Sequence, residues 1–201
     1  MRQPSLFTSD TSALLTGPEG EVHYHPNVLT PEDASRWFAD LHERTDWQAE
    51  RREMYDREVD VPRLRAHFLL NDQLSPTLLE AFGLVTHYLN MPFNSVGLNL
   101  YRDGHDSVAP HNDKLSFLQN GQAIAVLSLG APRRMVIRRK RAPHRRLAID
   151  LEAGSLLVMS WTSQWHYDHG VPKERGVVGP RISLAFRVLK SASTGESTWS
   201  L

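Results

Sequence analysis

Apolar side chains recur at Ala34, Trp37, Phe38 and Leu41, the i, i+3, i+4 and i+7 positions that lay a stripe along one face of a helix. Just ahead stand Thr30, Pro31, Glu32 and Asp33. These supply a capping hydroxyl, a proline at the first helical position and acids in the first turn. The pattern predicts a helix over about 31–45. A second start at Ser75-Pro76 leads to Leu78, Phe82, Val85 and Leu89 at matching spacing, predicting a helix that ends near Asn90. From Asn94 the period drops to two, with Val96, Leu98 and Leu100 alternating against Gly97, Asn99 and Tyr101. Strands are expected at 95–101, 123–129, 134–139, 147–151, 155–160 and 181–189. Turn signals such as Asp103-Gly104, Asn120-Gly121, Ala153-Gly154 and Gly179-Pro180 separate them. Helices grouped ahead of many short strands predict an α+β protein whose strand-rich half is a β-barrel or jelly roll, with the N-terminal helices packed on one sheet.

Length narrows this to one domain, since 201 residues with 40% hydrophobic content fill one core and fall short of two. We expect a single domain over 1–201, with flexible ends at 1–19 and 191–201. Residues 20–91 would form a helical, substrate-side part and 92–190 the strand-rich core. No apolar run reaches the length of a signal peptide core or a bilayer span, so a cytoplasmic monomer without membrane association is expected.

Charge changes the picture only locally. Lys+Arg and Asp+Glu number 23 each, so no global field favours a polyanion. Between Arg133 and Arg146, however, the run RRMVIRRKRAPHRR holds eight basic residues and no acid. It reads either as a phosphate-gripping hairpin, with Arg138 and Lys140 as contacts, or as a solvated strand pair protected from edge aggregation. Cysteine is absent, which removes disulfides, thiol nucleophiles and cysteine-ligated zinc or iron–sulfur centres and leaves the ten histidines as metal ligands.

His111-Asn112-Asp113 places an imidazole and a carboxylate two residues apart, on the same face of an extended segment. The pair alone is weak evidence, because an isolated histidine is commonly a surface or hydrogen-bonded residue. His169, shortly after the 155–160 strand, is the candidate third ligand. Two histidines and one carboxylate on one face of an octahedral metal leave three open positions, the arrangement of non-haem Fe(II) oxygenases. The same set around an activated water would suit a zinc hydrolase. His23 and His25 flank Tyr24 in a further expected strand and are read as structural, and His166 as a neighbour of the site or loop surface.

In Arg181-Ile182-Ser183-Leu184-Ala185-Phe186-Arg187 the odd positions share one strand face, so both arginines point the same way. Their α-carbons would lie roughly 20 Å apart, and inward-reaching side chains could bring the guanidinium groups to roughly 8 Å. That span suits a five-carbon diacid held by guanidinium–carboxylate pairs. An edge strand whose arginines face water has the same periodicity. Asn99 and Tyr101, on a shared face, could donate to the same diacid or simply line a barrel.

The motifs in order resemble the AlkB-like family of 2-oxoglutarate oxygenases. The matching segments are Pro92-Phe93-Asn94, Asn99 to Gly104, Asp106-Ser107, His111-Asn112-Asp113, Leu127 to Ala131, Gly154 to Met159, His169 with Pro172-Lys173, and Pro180-Arg181 through Arg187. A weaker likeness covers Gly20 to Trp47. The resemblance implies a double-stranded β-helix (jelly-roll) core, with Fe(II) held by His111, Asp113 and His169. It implies 2-oxoglutarate held by Arg187 near its oxalyl end and by Arg181, Asn99 and Tyr101 at the distal carboxylate, and dioxygen as co-substrate. The implied activity is oxidative dealkylation of alkylated DNA or RNA bases, releasing an aldehyde, succinate and CO2, on a single-stranded or flipped-out target.

This sequence departs from the family pattern at three points. Ser183 stands where many members carry Asn. Lys114 follows the His-x-Asp motif where an acid is common, a change without a physical account. After Pro62 to Phe68 the chain passes through Leu69 to Asp72 straight into the second helix, so the substrate lid looks shortened. Tyr55, His67 and Phe68 remain as candidates to stack on a base, or as core. The shortened lid also suits the same oxygenase chemistry on a protein side chain or small molecule. The basic run suits a non-enzymatic nucleic-acid-binding barrel.

Overall fold

The computed structural model describes residues 11–54, 57–176 and 178–190, and the side chains of those outside 52–60. Both helices form where their caps stand. Helix α1 is Pro31–Arg44, with the Thr30 side chain accepting the Asp33 N–H, and α2 is Pro76–Leu89, with Ser75 accepting the Leu78 N–H. Asn90, in the left-handed conformation at φ 51°, ends α2. A short α3 spans Ser163–His166.

Twelve strands build two antiparallel sheets. They are β1 (Ser12–Leu15), β2 (Val22–His25), β3 (Gln48–Met54), β4 (Arg57–Leu69), β5 (Ser95–Tyr101), β6 (Val108–His111), β7 (Ile124–Gly130), β8 (Arg133–Arg139), β9 (Arg146–Leu151), β10 (Leu156–Met159), β11 (Tyr167–Val171) and β12 (Arg181–Arg187). The larger sheet runs β1-β2-β10-β7-β12-β5-β4-β3 and the smaller β6-β11-β8-β9, a jelly-roll arrangement of mostly antiparallel sheet with few helices.

Strand alternation sorts the core into two layers. Leu98, Leu100, Leu127, Leu129, Ile182, Leu184 and Phe186 form one buried cluster with Trp37 and Leu41 of α1 and Leu78, Phe82 and Val85 of α2. Phe82 meets Phe186 edge-on at 5.3 Å between ring centroids. The alternate residues Tyr101, Val126, Leu157, Met159 and Ala185 face Met135, Ile137, Leu151 and Val171 of the smaller sheet. A polar side chain at an odd position of β12 therefore enters the space between the sheets.

Strand-by-strand expectations hold to within one or two residues for β5, β7, β8, β9, β10 and β12. Four expectations need correction. Ser12–Leu15, placed in a flexible end, pairs with β2. Residues 20–91, read as mainly helical, also supply β2, β3 and β4 to the larger sheet. The β3–β4 hairpin carries charge at most positions, as a sheet edge does, and so lacks apolar alternation. Strands β6 (VAPH) and β11 (YDHGV) are likewise short and polar. Beyond β4 the chain turns at once into α2, with the Asp72 carboxylate accepting the Leu69 N–H at 2.6 Å, so no lid stands between them.

Candidate active site

Strands β6 and β11 are neighbours in the smaller sheet, and their register sets His169 opposite His111. The imidazole centroids lie 4.6 Å apart. Asp113 follows β6 by two residues, and ligand atoms of His111, Asp113 and His169 all fall within 4.8 Å of one another. No other group of this kind occurs among the described residues. His23 instead pairs with Glu21 at 3.0 Å, and His25 contacts Tyr88.

Each of the three is oriented by a neighbour. His111 Nδ1 lies 2.9 Å from the Ala109 carbonyl, which only accepts, so Nδ1 carries the proton and Nε2 the lone pair. The Asp113 backbone N–H donates to Gln164 Oε1 at 3.1 Å, and Gln164 is itself fully buried. Both Asp113 oxygens accept from Arg187, Nη2 at 2.9 Å and Nε at 3.1 Å. Burial alone would raise the Asp113 carboxyl, but Arg187 and the two imidazoles outweigh it and hold it below its ordinary value. Burial and the neighbouring His111 push His169 down to about 4. Burial likewise lowers His111. A carboxylate beside two neutral imidazoles is the protonation state a divalent metal requires.

At the far end of β12, Arg181 is 1% exposed. Its Nη2 donates to Ser128 Oγ at 2.9 Å, whereas Nε and Nη1 have no hydrogen-bond partner among the described residues. Its guanidinium lies 5.3 Å from the centre of the Tyr101 ring, and burial lowers its pKa. Arg133, absent from the sequence-based site, sits across the same ring at 5.5 Å. It donates to the carbonyls of Asp103, Asp106 and Pro172, pinning the loop ahead of β6 to the segment after β11.

A cavity of about 460 Å³ opens over the site, lined by Arg63, Arg65, His67, Asn99, His111, Asn112, Asp113, Lys114 and Arg187 among others. Beneath it a pocket of about 60 Å³ is lined by Asn99, Tyr101, His111, Asp113, His169, Ser183 and Arg187. Of the expected cosubstrate residues, Asn99 and Tyr101 therefore share a pocket with Arg187. Asn99 Oδ1 accepts from Arg63 Nε at 2.8 Å, a partner that the sequence did not suggest.

The expected substrate contacts divide. His67 lines the larger cavity, with Nε2 3.1 Å from Ser95 Oγ. Phe68 packs against the helix-side core and does not line it. This is a correction with a simple cause, since successive residues of β4 face opposite ways. Tyr55 lies outside the described residues. Arg138 pairs with Asp168 at 2.8 Å, and Lys140 Nζ donates to the Gln164 carbonyl at 2.7 Å; neither lines the cavity. Gln164, Arg63, Arg133 and Ser128 carried no motif in the sequence and are found only by contact.

An antiparallel jelly roll with two histidines, a carboxylate and a buried arginine between its sheets defines a class of metal-dependent oxygenases. The family model described as "2OG-Fe(II) oxygenase superfamily" matches residues 67–187. The chain belongs to that superfamily and, within it, to the AlkB-like family. It is 39% identical over 119 residues to a human protein named DNA oxidative demethylase ALKBH2, covering 56% of this chain and 46% of that one. It is 36% identical over 127 residues to the bovine alpha-ketoglutarate-dependent dioxygenase alkB homolog 3, covering 59% and 44%. The rat homolog 3 is 33% identical over 153 residues, 72% of this chain and 49% of its own. The match thus spans about half the length of these relatives.

Membership implies Fe(II), 2-oxoglutarate and dioxygen, and the residues fit these groups. Two neutral imidazoles and a carboxylate form a facial donor set for Fe(II). A buried guanidinium with two unpartnered nitrogens is costly on its own and suits the carboxylate of a diacid. No described helix is long and apolar enough to cross a membrane.

Proposed function

We propose that this protein is an Fe(II)- and 2-oxoglutarate-dependent oxygenase that removes alkyl groups from nitrogen atoms of DNA or RNA bases. The observation that carries the reading is the convergence of His111, Asp113 and His169 within 4.8 Å beside a cavity large enough for a base. In this reading those three residues hold Fe(II), and Arg187 keeps Asp113 ionised and oriented. Arg181 and Tyr101 receive the distal carboxylate of 2-oxoglutarate, with Asn99 steadied by Arg63 at the side of the pocket. Helices α1 and α2 form the layer that backs the larger sheet and holds β12 in place, within one domain. The demethylase names of the relatives support a nucleic-acid substrate.

Bound together, Fe(II) and 2-oxoglutarate supply oxidation by dioxygen, in which one oxygen atom enters succinate as CO2 leaves and the other enters the C–H bond next to the base nitrogen. The resulting hemiaminal breaks its C–N bond, its hydroxyl proton passes to the ring nitrogen, and an aldehyde departs. The buried walls around Tyr101, Met135 and Ala185 exclude water from the inner pocket.

Iron-loaded protein incubated with 2-oxoglutarate and a panel of alkylated DNA and RNA oligonucleotides is expected to form succinate and restored base in equal amounts. Succinate without restored base would redirect the chemistry to a protein side chain or small molecule. Neither product would overturn the reading.

A further inference from the structure

The cavity over the metal site is donor-rich. Arg63, Arg65, Lys114 and Arg187 line it, and each carries N–H donors and no acceptor. The carboxylate in the described lining is Asp113, whose two oxygens already accept from Arg187. The amide groups are partly committed as well. Asn99 accepts from Arg63, and Asn112 Nδ2 donates to the Asp113 carbonyl at 3.3 Å. Arg65 is held by Glu50, which does not line the cavity. A substrate entering here meets cationic donors in greater number than acceptors.

Alkylated bases split into two groups on this criterion. Alkylation of adenine N1 or cytosine N3 uses a lone pair, leaving a cation with an exocyclic amino donor beside the alkyl group. Alkylation of thymine or uracil N3 replaces an N–H, leaving a neutral ring whose alkyl nitrogen lies between two carbonyl acceptors. Guanine N1 is also neutral, with O6 on one side. The acceptor pattern of thymine and guanine complements arginine and lysine, whereas the amino groups of adenine and cytosine need a carboxylate or amide oxygen. Like charge in a partly enclosed cavity is weakly screened, so a cationic base is also repelled.

We infer, resting on the oxygenase reading above, that this cavity selects neutral, carbonyl-flanked lesions, 3-alkylthymine and 3-alkyluracil foremost, over cationic 1-alkyladenine and 3-alkylcytosine. Arg63, Arg65 and Lys114 are the specificity-determining side chains. Lys114, exposed and next to Asp113, sets the charge at the mouth.

The test uses the iron-loaded full chain and single-stranded oligonucleotides of one sequence carrying 3-methylthymine, 3-methylcytosine or 1-methyladenine at the same position. Affinity is read by fluorescence anisotropy without oxygen, and repair by kcat/KM in air. Both measures are expected to favour 3-methylthymine by about tenfold or more. Lys114→Glu is expected to shift the ratio towards 3-methylcytosine several-fold, and Lys114→Gln to fall between. Equal or better handling of 3-methylcytosine or 1-methyladenine by the unaltered protein overturns the inference and leaves the oxygenase reading intact. Failure to repair any of the three while succinate accumulates overturns the nucleic-acid reading and this inference together.

Discussion

Arg187 places two donors on the two oxygens of Asp113, at 2.9 and 3.1 Å, and the contact joins the end of β12 in the larger sheet to the segment leaving β6 in the smaller one. A buried carboxylate at the mouth of the jelly roll is thereby kept ionised and fixed in orientation before any ligand binds.

Removing that partner is expected to weaken the metal site without touching a ligand. Arg187→Ala should lower affinity for Mn(II), used as a redox-stable probe, by about 10- to 100-fold. Arg187→Lys, which keeps the charge but cannot bridge both oxygens, should lose less. Calorimetric titration under nitrogen reads both, and unchanged affinity in Arg187→Ala would show that Asp113 is held by something else.

At the opposite end of β12, Arg181 is a buried cation with two unpartnered nitrogens, an arrangement that costs stability until a carboxylate arrives. Arg181→Met is therefore expected to raise the stability of the ligand-free protein by about 1–3 kcal/mol. The same change should abolish the increase in Tm that 2-oxoglutarate with Mn(II) produces in the unaltered protein. A variant that is less stable yet keeps its response to 2-oxoglutarate would remove Arg181 from the cosubstrate site.

Gly170 follows His169 and lies against β6. A Cβ there would come within 2.9 Å of the Val108 carbonyl oxygen and 3.0 Å of the Pro110 nitrogen, both backbone atoms. Gly170→Ala should push β6 away from β11 and separate His111 from His169. We expect a tenfold or greater loss of Mn(II) affinity, about 1.4 kcal/mol, with far-ultraviolet circular dichroism unchanged. Retained affinity would mean that the two strands tolerate the shift.

Asp106 anchors the loop ahead of β6. It accepts the Arg102 backbone N–H at 2.8 Å and pairs with the Arg102 side chain at 2.8 and 2.9 Å. Burial would raise its carboxyl, but these hydrogen bonds prevail and lower it. A depressed carboxylate contributes stability above the unfolded value of about 3.9, and that contribution is lost as pH falls through the folded value. Asp106→Asn is expected to cost about 1.5–3 kcal/mol at pH 7. The difference from the unaltered protein should stay flat between pH 5 and 8 and shrink below about pH 4. Urea unfolding across that range would expose a gap that fails to close in acid.

Much of this molecule was legible from residue order. The caps at Thr30 and Ser75 and the 3.6-residue spacing after each suffice to place α1 and α2, because helix signals act over a few neighbouring residues. Period-two alternation locates β5 and β12 within the chain and puts Arg181, Ser183 and Arg187 on one face. The three metal-binding candidates and both arginines were nameable because their chemistry admits few substitutes. The β3–β4 hairpin, β6 and β11 escaped notice because edge and rim strands carry polar residues, so no apolar pattern marks them.

Tertiary structure decided what lies between residues far apart in sequence. Only the β6–β11 register sets His169 opposite His111, and only the packing of two sheets brings Arg187 onto Asp113 and Gln164 beneath its backbone. Local spacing says which face a side chain takes, whereas the distance between faces depends on how strands pair and sheets close. Phe68 shows the limit plainly: one place along β4 from His67, it belongs to the helix-side core while its neighbour lines the cavity.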